Sequence, residues 1–268
     1  MSEWFGIFGI IIAAAVVGGG SIGCLGAYIV GMRIPFIGIA ISHAAMLGSV
    51  AGYLLHLPIF PCALGVSLLS AWILGGFFSP AMKVHSDTHT SILFSVMMGL
   101  VFLGMGLMKN DVSPLLGMMW GNLLFVNIKN LFIMILLAVI FAIVCLIFHK
   151  ELKSILFSPD LARASGINVG RIIKLFLVIA AAIIAANLNI VGGLLLYSLL
   201  TCPAAAAYEI GGNLRSVIIL SAIFGVASAA GGFAISYQFN LPTGSCIALL
   251  SAFIYAAAHL NARTHPGV

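Results

Sequence analysis

The side chain with the strongest claim to chemistry is His43. It sits in the middle of an apolar run at 35–56, where an ionisable group is costly to bury and marks a functional site by default. Neutral imidazole ligates zinc, copper, iron and nickel well, and manganese less selectively. The plain alternative is a neutral ring hydrogen-bonded to a neighbouring helix. Ser42 and Met46 on the same run, and Asn122 and Cys202 on others, are its candidate companions in a metal pathway. Each also has an ordinary reading: Met46 as core packing, Asn122 as an interhelical hydrogen-bonder, and Cys202, just before Pro203, as a small packed residue.

A second cluster is KVHSDTH at 83–89. On a helix His85 and His89 share a face, a spacing that metal pairs use. The favoured reading is the polar start of a helix, with Ser86 or Asp87 capping a span that begins at 91. Glu209 closes another apolar run near Arg215, where it either pairs with that arginine or receives a departing cation. Asp111 lies beside Lys109. His56 ends its run, and His149, His259 and His265 read as bystanders.

The five cysteines, at 24, 62, 145, 202 and 246, are isolated within apolar runs, with neither C-x-x-C spacing nor a disulfide framework. The chain contains no GxxxxGK[ST], no H-E-x-x-H and no G-x-S-x-G, so neither ATP hydrolysis, zinc proteolysis nor a serine hydrolase is expected of it. It reads as a non-enzyme.

The elements that must position these residues are membrane helices. Of 268 residues, 63% are hydrophobic and 6% charged, and the mean hydropathy is +1.25. A soluble domain is about a quarter charged, so this chain cannot cover a soluble surface. Eleven basic residues on so apolar a chain form no stripe for phosphates, and nucleic acid is excluded as a partner. The run from Trp4 to Val30 has no basic residue before it and is expected to be a membrane span, not a cleaved signal. With about 20 apolar residues needed per crossing, nine spans are placed at 5–30, 35–56, 59–80, 91–108, 130–149, 172–190, 192–208, 216–238 and 243–260, with a further helical piece from Leu115 to Val126. An outside N-terminus puts nine basic residues inside and two, Lys109 and Lys129, outside, the bias that orients membrane proteins, and leaves the C-terminus cytoplasmic. Gly19/Gly23 and Gly48/Gly52 have the spacing that lets helix backbones approach closely.

The loop Lys150–Arg171 is the largest polar insert. Ser158 is a good N-cap, Pro159 suits the first helical position, Asp160 complements the helix dipole, and Gly166 suits a left-handed stop. A short cytoplasmic helix is expected over Pro159–Ser165. It is either a solvated connector or an element held by another protein.

FSPDLARASGI at 157–167 resembles the coupling loop of the zinc/manganese/iron permeases of ABC importers. VGGLLLYSLLTCPAAAAYEI at 191–210, LPTGSCIALL at 241–250, ISHAAMLGSVAGYLL at 41–55 and WGNLL at 120–124 are similar to further phrases of that family, in the family's order. The resemblance implies an all-α polytopic bundle of ABC-importer permease type, one transmembrane domain over 1–268. It also implies a prokaryotic cytoplasmic-membrane location and a homodimer. ATPase subunits would dock on Ser158, Pro159, Asp160, Leu161, Ala162, Arg163, Ala164, Ser165 and Gly166. An extracytoplasmic binding protein would deliver a divalent ion, zinc, manganese or iron, carried as cargo with no permanent cofactor. His43 matches a histidine implicated in the family's metal path. Members usually carry an Asp four residues before it; here that position is Ile39. The rival reading is a secondary transporter or channel, which would need intramembrane carboxylates of its own. No acid lies within a span away from its ends.

Overall fold

A computed structural model describes residues 2–76, 86–108, 117, 121, 126–193 and 196–264. Among them are eleven helices: α1 Ser2–Gly31, α2 Phe36–Leu54, α3 Ile59–Gly76, α4 Ser86–Leu107, α5 Ile128–Ile147, α6 His149–Phe157, α7 Pro159–Ala164, α8 Val169–Val191, α9 Leu196–Ile210, α10 Leu214–Phe239 and α11 Thr243–Thr264. There is no strand among these residues. Eight helices are long and apolar enough to cross a membrane. The ninth expected crossing, 192–208, is α9. Its 15 residues, with Pro203 inside, extend about 22 Å at 1.5 Å per residue, short of a hydrocarbon core of about 30 Å.

Most limits agree with the hydropathy pattern, and two differ. α4 begins at Ser86, not 91, so Ser86 and Asp87 lie in its first turn and not ahead of it. α8 runs on to Val191, past the end of the span placed at 172–190, and the next helix does not begin until Leu196. The break falls at Gly192, whose φ of 87° suits the residue without a Cβ.

Small residues set the helix crossings. α1 packs most extensively on α10. A Cβ on Gly19 would lie 2.5 Å from the Gly225 carbonyl oxygen, and one on Gly23 would run into the Ser221 backbone. Ser221 Oγ donates to the Gly23 carbonyl across the same seam. α2 meets α3 in the same way: a Cβ on Gly48 would stand 2.6 Å from Ala63 Cα. Both GxxxG pairs therefore mark backbone-to-backbone crossings. In lipid such contacts are favoured because small residues let dispersion contacts accumulate over the whole seam.

Burial then divides the helices. The apolar windows of α2 and α8 are 72% and 61% buried within the chain, whereas those of α4 and α5 are 11% and 17% buried. Ile92, Leu103, Phe132 and Leu146 stand exposed on these outer helices, as a lipid-facing surface requires. α2 is the inner helix, and it carries His43.

Candidate functional site

His43 is the eighth residue of the 19-residue α2 and is fully buried. Its Nδ1 donates to the Ile39 carbonyl at 2.9 Å, one turn back. The ring stands edge-on to Phe94 of α4, with centroids 4.9 Å apart. Nε2 is buried and has no hydrogen-bond partner among the described residues. With the proton held on Nδ1 by a carbonyl, the lone pair sits on Nε2. That is how a histidine is held when its other nitrogen is to meet a metal. A buried polar atom without a partner costs about 1–3 kcal/mol, so its retention calls for a use.

Ser42 ties this turn to the break after α8. Its Oγ lies 2.9 Å from the Ile39 carbonyl oxygen and 3.1 Å from that of Gly193, and shares one proton between them. Met46 lies one turn beyond His43, buried with Val50 and Val101. A Cβ on Gly193 would come within 3.6 Å of its sulfur. His43, Ser42 and Met46 thus belong to one neighbourhood, formed by the middle of α2, α4 and the α8–α9 break. Gly193 and Phe94 were not singled out from the sequence. The Gly192–Gly193 pair was the available signal for the first; nothing local marks the second.

Cys202 belongs to a different seam. Its sulfur lies 3.6 Å from Ser198 Oγ, which meets Ser251 Oγ at 2.9 Å and the Ala248 carbonyl at 3.3 Å. This polar cluster joins α9 to α11. Glu209 is held not by Arg215 but by His259, with Nδ1 and Oε1 2.9 Å apart. α11 runs parallel beside α9, Ser198 meeting Ser251 and Glu209 meeting His259, which brings residue 259 to the end of α9. His259, read from the sequence as a bystander, is thus the partner of Glu209. Asn122, His85, Asp111 and His265, and all but a few residues of Leu115–Val126, lie outside the described residues. No group of three or more His, Cys, Asp or Glu able to hold a metal ion is assembled among the described residues.

The polar loop folds as its capping residues dictate. Ser158 is extended, with φ −160° and ψ 115°, and accepts from the Leu161 N–H at 3.4 Å. Pro159 opens α7, and Gly166 follows at φ 84°. Ala162 is buried against the bundle, while Leu161 and Phe157 are 58% and 84% exposed. Lys153, Ser154, Phe157, Leu161, Ala162 and Ser165 line a cleft of about 280 Å³ between α6 and α7. The amphipathic α6 buries Leu152 and Ile155 beneath it.

A bundle of this topology, with a capped helix on one face and a buried imidazole on its inner helix, matches a known family over nearly its whole length. The model of the ABC 3 transport family covers residues 6–262. The chain belongs to the ABC 3 transport family. Among its relatives, the manganese transport system membrane protein MntC of Listeria innocua is 31% identical over 242 residues, covering 90% of this chain and 85% of that protein. The manganese import system permease protein ScaB of Streptococcus gordonii is 30% identical over 247 residues, covering 91% and 87%. The high-affinity zinc uptake system membrane protein ZnuB of Haemophilus influenzae is 28% identical over 232 residues, covering 86% and 88%. The solved structure of PsaBC from Streptococcus pneumoniae in complex with Fab superimposes with a TM-score of 0.82 at 29% identity, over 94% of this chain and 90% of that one. As a member of the ABC 3 transport family the chain is a multi-pass membrane transport subunit.

Proposed function

We propose that this chain is the permease subunit of an importer for a divalent transition metal ion, zinc or manganese, driven by a separate ATPase. The observation that carries the reading is the buried Nε2 of His43, oriented by the Ile39 carbonyl and left without a partner on the inner helix. A metal ion delivered from outside by a binding protein passes this nitrogen, and a second copy of the chain supplies the matching ring across a dimer axis. α7, with Leu161 and Phe157 presented outward, is the element the ATPase grips. Closure of the ATPases rocks the two bundles, opening the pathway to alternate sides.

In this reading the chain crosses the membrane nine times, with its N-terminus outside and its C-terminus in the cytoplasm. Three contacts support it. A Cβ on Gly31, at the end of α1, would meet both Tyr208 near the end of α9 and Leu156 of α6. Tyr208 Oη donates to the Ala27 carbonyl at 2.9 Å. The short α9 therefore returns the chain to the face that carries α6 and α7. Gly75, near the end of α3, meets Lys174 near the start of α8, on the same face.

The test is metal accumulation. Cells lacking their own uptake systems, expressing the chain with its ATPase and binding protein, should gain one metal selectively, and lose that gain when the ATPase is inactivated. Equal metal content with active and inactive ATPase would overturn the proposal.

A further inference from the structure

The Glu209–His259 pair joins two metal-ligating side chains from different helices, 50 residues apart in sequence. His259 Nδ1 stands 2.9 Å from Glu209 Oε1, and the side chains are 35% and 32% exposed. Tyr255 stacks on the imidazole, with centroids 5.9 Å apart and planes 26° from parallel, and so fixes its plane. Tyr208, the neighbour of Glu209, anchors this end of α9 to α1 beside α6. The pair therefore lies on the face of the molecule that bears α7.

Two further features bear on what the pair holds. Glu209 is the penultimate residue of α9, where the unpaired carbonyls of a helix C-terminus carry partial negative charge. A carboxylate is disfavoured at that position and a cation favoured. The donor atoms are also close enough to share an ion. Metal–nitrogen and metal–oxygen bonds of about 2.0–2.2 Å place two ligands of a tetrahedral ion about 3.4 Å apart, wider than the 2.9 Å between Nδ1 and Oε1. An ion replaces the shared proton once the two side chains part by about half an ångström and turn toward it, while the exposed side admits water to complete its shell. One turn further along α11 lies Arg263, whose charge weakens binding and suits a site that releases its ion.

We propose that Glu209 and His259 form a second, shallow divalent-cation site on the α7 face, separate from His43, which receives the ion leaving the pathway. The site rests on the importer reading for its purpose, though not for its existence. A pair that only clamps α9 to α11 needs the hydrogen bond alone; a metal site needs the carboxylate charge as well.

Equilibrium dialysis of Zn²⁺ against the purified permease tests this, using the parent chain, Glu209→Gln, His259→Gln and His43→Ala. The amide introduced by Glu209→Gln retains a hydrogen bond to His259, so this variant is expected to melt at the parent temperature. Both changes at the pair should weaken one binding event per chain at least tenfold, and His43→Ala should leave that event in place. Unchanged Zn²⁺ binding in Glu209→Gln and His259→Gln would overturn the site, as would its complete loss in His43→Ala. Failure of the parent chain to transport metal in cells, with these binding results intact, would instead overturn the importer reading.

Discussion

The middle of α2 and the α6–α7 corner are built on opposite terms. His43 is fully buried, its ring set by a carbonyl of its own helix and by Phe94 of α4. Its neighbourhood is completed by Gly193, which Ser42 meets across 151 residues of chain. The α7 corner is held by short-range features: a serine cap, a proline at the first position and a glycine stop, all within residues 158–166. Only Ala162 of α7 is buried. The inner site must be dry and well packed to hold an unpartnered nitrogen in place. On the proposed reading the corner must be stiff yet exposed, because the ATPase is to hold it. On the proposed importer reading, selectivity belongs to the first region and force transmission to the second, and substitutions should separate the two.

The largest effect is expected at the corner. Leu161→Glu places a charge on an exposed apolar position of α7 and should abolish ATPase co-purification and uptake together. The melting temperature should stay within a few degrees, since surface substitutions change stability by about 0.5 kcal/mol or less. Normal co-purification would sink the coupling role. Next is His43→Ala, which should lower metal uptake by about tenfold or more, equivalent to about 1.4 kcal/mol in the barrier, while the ATPase still binds. Retained uptake would remove His43 from the pathway.

A finer separation comes from Ile39→Asp. It sets a carboxylate on the face of His43 one turn away, and oxygen ligands favour manganese where imidazole favours zinc. The ratio of manganese to zinc accumulated should rise by about tenfold, read by elemental analysis; an unchanged ratio would show that this turn does not select the ion. The smallest effect is expected from Ser158→Ala. Loss of an N-cap costs about 0.5–2 kcal/mol, and the cap here is long at 3.4 Å, so the lower end applies. ATPase affinity measured by titration should fall a few-fold, with uptake reduced but present. A fall as large as that of Leu161→Glu would mean that α7 unfolds without its cap.

How much of this was legible varied with the range of the interactions. The α7 helix was readable to within a residue, because caps and helix stops act through neighbours in the chain. The GxxxG pairs at 19/23 and 48/52 were readable as close crossings, though not which helices they would meet. His43 was readable as an unusual residue but not as one with a free Nε2, which depends on Ile39 turning its carbonyl toward the ring. Glu209 was read as pairing with Arg215, six residues away, or as receiving a departing cation, and its observed partner is His259. Sequence distance is a poor guide where two parallel helices, joined through a third, pack side by side. α9 looked longer, because composition does not report where a helix starts, and it begins at Leu196 where the pattern began the span at 192.

By itself the sequence determined that this protein lies in a membrane, that its helices cross it repeatedly, and that one capped helix stands at its polar loop. Those outcomes follow from solvation and local backbone preference: apolar segments leave water wherever they sit, and a serine, a proline and a glycine shape the few residues around them. Only the tertiary structure decided that α2 is the inner helix, that Ser42 reaches the α8–α9 break, and that Glu209 meets His259. Those contacts depend on which small-residue stripes find each other, and lipid, as apolar as the helix surfaces themselves, leaves that choice to packing.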